Sequence, residues 1–220
     1  PEESKSPLRS SISVHDIRQE DFALPHHSSA GASPRIHVMH VMENRIDTNR
    51  SVEQAAVRDD QLVADASRDL AKLVVIERHR ASGEIGRAFV MGFGLKSGAI
   101  ASTVAHDAHN LIVGGTNDAD MCLAARHLVK LHGGLVVVRD GEVIADVPLP
   151  IAGLVSAEPA EQVAASLKRL GEAAKGLGCP LEQPFMALSF LSLSVIGKLK
   201  LTNQGLIDVE AFRPISLVAD

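Results

Sequence analysis

The sequence predicts an α+β fold with a mixed or mostly antiparallel sheet and at least two packed helices, and three observations lead there. Short β-branched runs, such as those centred on residues 72–76 and 135–138, have the length and composition of buried strands. Asp140-Gly141 sits between two such runs and is a strong hairpin signal. Two amphipathic helical patterns are present, but strands and helices do not alternate as a doubly wound sheet requires.

Composition narrows the class further. With 220 residues, 45% hydrophobic and 22% charged, the chain can bury a core and form one large domain or a domain plus an extension. A formal charge of −5 and the absence of Trp and Tyr exclude a phosphate-tracking, base-stacking surface, so no nucleic-acid partner is expected. No apolar stretch approaches the roughly 18 residues of a bilayer span, and the polar start has no signal-peptide pattern. A cytoplasmic protein without a membrane partner is therefore expected. Cys122 and Cys179 are the only cysteines and read as small apolar fillers, not as a disulfide scaffold. The chain starts at Pro1, which suggests a processed start or a piece of something longer.

Residues 1–34 are rich in Ser, Pro, His and charge and read as a connecting segment, with one short strand around Ser11–Val14; His26 and His27 read as loop residues. The domain proper is expected over 35–220. Residues 35–42 alternate as a strand, with Ile36, Val38, His40 and Met42 on one face and His37, Met39 and Val41 on the other. His37 and His40 then point apart and cannot share a metal. Residues 69–79 read as a buried strand. Over 83–105, five glycines divide a strand, a tight loop and a second strand. Gly92, Gly94 and Lys96 fit neither phosphate-loop spacing, so that reading is rejected.

The clearest helix starts at Thr116 or Asn117 and stops at Gly133, with Asp118 and Asp120 at its positive end. Met121, Ala124, Ala125, Leu128 and Leu131 form its apolar stripe, with His127 beside it. A second helix is expected from about Pro159 to Gly176 or Gly178, with Val163, Leu167, Leu170 and Ala174 facing inward. Residues 184–209 are apolar and ambiguous between helix and strand, ending in a polar turn at Thr202–Gly205.

The chemistry-bearing stretch is His106-Asp107-Ala108-His109-Asn110, which interrupts apolar sequence on both sides. Buried imidazole or carboxylate needs partners, since an unbonded polar group costs roughly 2–7 kcal/mol to bury. Three arrangements satisfy it: a turn whose side chains cap the backbone, an acid/base or substrate-orienting cluster, and a divalent metal site. Asp118 and Asp120 join it only if the helix start folds back over it. No His-x-His, His-Glu-x-x-His or Gly-x-Ser-x-Gly occurs, so no complete active site is visible.

Three ordered blocks, residues 92–121, 133–154 and 184–209, together resemble the C-terminal region of the adenine deaminases of the amidohydrolase superfamily. The resemblance implies a metal-dependent (β/α)₈ barrel N-terminal to this region, carrying a divalent pair of manganese or iron. It also implies hydrolysis of adenine to hypoxanthine and ammonia in purine salvage, in a homo-oligomeric enzyme. On that basis His106, Asp107 and His109 line the active site, Asn110 and Asp118 are candidates for substrate binding, and no metal ligand is assigned to this chain. Asp107 and His109 would touch or support the purine edge, and His106 would orient them. The isolated chain is then expected to be inactive. The stretch departs from the family pattern at Ala108, where a Ser is expected; Ser194 and Gly197 stand for prolines and Asn203 for Asp. Two other readings are a structural or oligomerisation module with no catalytic residue, and a free-standing metal-binding protein.

Overall fold

In the computed structural model residues 7–26 and 33–219 are described, so His27 lies outside the described residues. The strands are β1 (Arg35–His40), β2 (Asn49–Gln54), β3 (Ala56–Arg58), β4 (Gln61–Val63), β5 (Ala71–Ile76), β6 (Ile85–Met91), β7 (Ala99–Ser102) and β8 (Leu111–Gly115), then β9 (Gly134–Arg139), β10 (Glu142–Pro148), β11 (Leu199–Thr202), β12 (Gly205–Asp208) and β13 (Arg213–Ile215). The helices are α1 (Asp118–Lys130), α2 (Ala160–Gly176) and α3 (Pro184–Ser189). Eight strands form one sheet in the order β10-β9-β7-β8-β5-β6-β1-β2. Every neighbouring pair is antiparallel except β1 with β6, so the sheet is mixed and mostly antiparallel, as expected. Strands β11, β12 and β13 make a small second sheet, and β3–β4 a separate hairpin.

The central strands read as unbroken apolar runs because both faces are covered. Val74 and Ile76 of β5 face one side with Met121, Ala124, Ala125 and Leu128 of α1, the expected stripe. Leu73 and Val75 face the other, with Leu170 and Ala174 of α2, Leu188 of α3, and Leu199 and Leu201 of β11. The alternation expected over 35–42 holds in β1: Ile36 and Val38 enter one cluster and Met39 another.

Asn117 caps α1, its side chain accepting from the Asp120 amide, and the Gly133 amide closes the other end on the Leu128 carbonyl. At the β9–β10 turn Asp140 and Gly141 both have positive φ, as a primed turn requires. The buried Asp120 carboxylate accepts from both their amides, at 3.2 and 2.8 Å, and ties the helix start to the hairpin. In the glycine loop the Gly92 and Gly94 amides donate to Asp69 at 2.7 and 2.6 Å. An internal carboxylate thus uses the donors that an anion would need.

Three features depart from expectation. Leu167 of α2 is 45% exposed: Val163, Leu170 and Ala174 pack on the core, while Leu167 walls an open apolar groove with Phe185 and Met186. The described part of the segment read as a connector packs against the sheet: Ile17 and Phe22 are buried with the α1 cluster. Ser11–Val14 is not a strand, although Ser13 donates to the Arg78 carbonyl and accepts from the Ala81 amide. The ambiguous stretch 184–209 resolves into α3, a short 3-10 turn (Phe190–Ser192) and the hairpin β11–β12. No helix among the described residues is long and apolar enough to cross a membrane.

Candidate active-site loop

The polar stretch lies in the connection from β7 to β8, at the end of the sheet where β5 terminates and β6 begins. Four other segments meet it there: residues 77–84, the 149–153 turn, the 3-10 turn after α3, and the β11–β12 turn. Thr103 anchors its entry, donating to the Gly153 carbonyl at 2.6 Å and accepting from the Gly134 amide at 2.8 Å. Residues 106–108 form a turn that includes a cis His106–Asp107 peptide, and His109 has φ +50°.

The frame around the loop is saturated. The His106 amide donates to the Ser189 carbonyl, and the Ser192 hydroxyl donates to the His106 carbonyl, both at 2.9 Å. Asn110 is buried and its amide works in both directions: Oδ1 accepts from the Arg78 amide and Nδ2 donates to Asn203 Oδ1 at 3.0 Å. Asn203 in turn donates to Glu84 at 2.6 Å. An Asp at 203 would set two carboxylates against each other, so Asn suits this chain. Gly197, the other family departure with a visible cause, has φ +94° beside the Thr48 backbone, a conformation proline cannot adopt. The structure gives no account of Ser194.

Arg78 is the centre of this frame. Its side chain is 1% exposed, its Nε donates to the His109 carbonyl, and its Nη2 donates to the Ala152 carbonyl at 3.1 Å. Gly153 makes room for it: a Cβ there would lie 2.9 Å from Nη1. Burial pulls the guanidinium down to about 10, still charged at neutral pH. Next to it, Glu77 accepts from the His79, Arg80 and Ser82 amides. Burial alone would raise that carboxyl, but these amides and the Ser82 hydroxyl outweigh it and hold it below its ordinary value. His79 Nε2 donates to the Ala108 carbonyl at 2.8 Å.

The side chains of the loop are, by contrast, only partly paired. Asp107 and Ala108 are exposed at its tip. The His106 ring stacks on Phe190 at 4.6 Å, and its buried Nδ1 has no hydrogen-bond partner. The His109 ring lies 5.5 Å from that of His106, and its Nδ1 accepts from the Ala105 amide at 3.2 Å. Burial lowers the His109 pKa, with His106, Arg78 and His79 adding to the shift against the opposing Asp107 carboxylate.

The structure therefore brings His106, Asp107, His109 and Asn110 together and leaves Asp118 apart. Asp118 follows the far end of β8, about 16 Å along that five-residue strand, and its carboxylate is paired with buried Lys72 at 2.7 Å. The start of α1 does not fold back over the loop. Among the described residues no three His, Cys, Asp or Glu side chains converge as metal ligands. One His109 nitrogen is already engaged and a buried cation stands behind the loop, so these residues do not fit a metal pair. Sequence reasoning missed Arg78, His79 and Phe190. The only signal was the abrupt change from the apolar Val74-Val75-Ile76 to Glu77-Arg78-His79-Arg80.

Residues 45–213 match the family model described as the adenine deaminase C-terminal domain. The chain belongs to this family. It is 46% identical to an adenine deaminase of Moorella thermoacetica over 209 residues, which is 93% of this chain and 35% of that protein. The Dehalococcoides mccartyi adenine deaminase is 45% identical over 94% of the chain and 36% of its own length, and that of Archaeoglobus fulgidus 47% identical over 84% of the chain and 32% of its own length. The chain thus spans about a third of the length of these curated relatives.

Proposed function

We propose that this chain is the part of a hydrolytic adenine deaminase that completes the active site of a preceding metal-bearing barrel. The reaction is adenine plus water to hypoxanthine plus ammonia, in cytoplasmic purine salvage. The observation that carries the reading is the contrast within the loop: its backbone is anchored at His106, Ala108 and His109 while the Asp107 carboxylate, Nε2 of His109 and the inner nitrogen of His106 lack partners among the described residues. Polar groups fixed in place yet unpaired are what a site awaiting a polar ligand requires. Asp107 at the tip and His109 beneath it would meet the polar edge of the purine, and His106, flat on Phe190, would orient them. Asn110 serves this arrangement as a tie, since both ends of its amide are engaged. The divalent ions, manganese or iron, would belong to the barrel.

The test is a chimera in which this chain replaces the matching region of the Moorella thermoacetica enzyme. Asp107→Ala and His109→Ala should each lower adenine turnover at least tenfold with expression and fold unchanged. Wild-type turnover in both variants would remove the reading. A second reading, a structural or oligomerisation module, draws on the apolar groove between α2 and α3, where Leu167 and Met186 are 45% and 49% exposed. It predicts that Leu167→Asp and Met186→Asp change the subunit number of the chimera while the loop variants leave turnover intact.

A further inference from the structure

We propose that His109 is held as a neutral imidazole with its proton on Nε2, a fixed hydrogen-bond donor, and that Arg78 and the Ala105 backbone are the groups that position it. This deepens the preceding reading, because it assigns the donor that such a site would offer to a purine ring nitrogen or oxygen.

The argument begins with the Ala105 amide, which donates to His109 Nδ1 at 3.2 Å. A nitrogen that accepts an N–H bond carries no proton, so in the neutral ring the proton resides on Nε2. Nε2 has no hydrogen-bond partner among the described residues, which leaves it available to a ligand. The same residue is closed at its backbone: its amide donates to the Ala105 carbonyl at 2.6 Å, and its carbonyl accepts from Arg78 Nε. Three contacts thus set the ring, and none of them uses Nε2.

A protonated ring would lose the Ala105 bond, since Nδ1 would then be a donor facing a donor. Charge works in the same direction. The buried Arg78 guanidinium, His106 and His79 face the ring, and Asp107 is the one group acting to favour its protonation. Arg78 has only backbone carbonyls as partners, at His109 and Ala152, so its positive charge is not cancelled by a carboxylate. It both grips the loop and repels a second positive charge there. A neutral donor of this kind suits an uncharged heteroaromatic ligand and has little attraction for free anions.

The experiment is long-range ¹H–¹⁵N NMR of the histidine rings of the 220-residue protein through a pH titration. The expected spectrum shows a pyrrole-like Nε2 and a pyridine-like Nδ1 for His109, with its titration midpoint below that of an ordinary imidazole. Arg78→Gln should raise that midpoint, Arg78→Lys should largely preserve it, and Asp107→Asn should lower it further. A tautomer protonated on Nδ1, or a midpoint at or above the ordinary imidazole value, overturns the proposal. Should Arg78→Gln fail to fold, the wild-type tautomer and the exposed-loop variant Asp107→Asn still decide it. The NMR result is independent of turnover, so a correct tautomer with an inactive-loop chimera phenotype absent would refute the catalytic placement and leave the donor assignment standing.

Discussion

Strand β5 carries a buried cation towards each end, and the two are satisfied by different chemistry. Lys72, near its start, donates to the Asp118 carboxylate at 2.7 Å and to the Phe22 carbonyl at 3.1 Å. Arg78, just past its end, has carbonyl partners alone. At the first end the charge is cancelled and the neighbouring acids, Asp118 and Asp120, are consumed in holding the helix and hairpin. At the second end the charge is left to act on its surroundings, and the Asp107 carboxylate and His109 Nε2 in the adjoining loop stay open. A pair of opposite charges in a partly buried setting is what architecture uses; a buried cation answered only by dipoles shapes the protonation of its neighbours.

The largest expected effect is at Arg78. Its replacement by Met strands the His109 and Ala152 carbonyls and should cost about 2–4 kcal/mol, by the usual penalty for orphaned buried acceptors. Lys72→Met leaves an Asp118 that is 25% exposed and open to water, so about 1–2 kcal/mol is expected. Urea unfolding of the two variants ranks them, and a larger loss at Lys72 would break the comparison.

Gly153→Ala comes next. It forces a side chain into φ +71° and against the guanidinium, for a loss of about 1–3 kcal/mol. The loss should shrink in an Arg78→Met background if the guanidinium is the obstacle, which a double-mutant cycle measures. Asn203→Asp should cost about 1 kcal/mol, since it replaces a donor to Glu84 with a second carboxylate. That loss should fade below pH 4, where the carboxylates protonate.

The smallest effect concerns pH. His109 is lowered in the folded state, chiefly by burial, so the unfolded chain binds the extra proton first as pH falls below about 6.5. Stability should therefore be complete above that value and decline through the window down to the folded midpoint. His109→Gln should flatten this part of the profile, and an unchanged slope would mean that His109 does not titrate differently in the two states.

Much of the first region was legible in the sequence. The cap at Asn117, the stripe from Met121 to Leu128 and the Asp140-Gly141 turn follow from local rules that need only a few neighbouring residues. The second region was legible only as a cluster. His106, Asp107, His109 and Asn110 adjoin in sequence, so their meeting was visible, but apart from Ala105 their partners, such as Arg78 and Asn203, come from residues 31 to 93 positions away. Arg78 looked like any charge after a strand, because nothing local says that a guanidinium turns inward. Leu167 shows the converse failure: helical periodicity gives the apolar face, but not that one residue of it borders an open groove and not the core. Asp118 lies apart from the loop because it follows, after two residues, the opposite end of β8, and periodicity does not reveal which way that strand runs.

The Asn110–Asn203–Glu84 bridge joins residues 93 and 119 positions apart, and its middle member belongs to the β11–β12 turn. During synthesis Asn203 is added 93 residues after Asn110. A nascent or truncated polypeptide ending before Leu199 would own every residue of the loop yet lack the clasp that seats it. Truncation just before Leu199 should thus yield a product with an intact helical layer and an unseated loop.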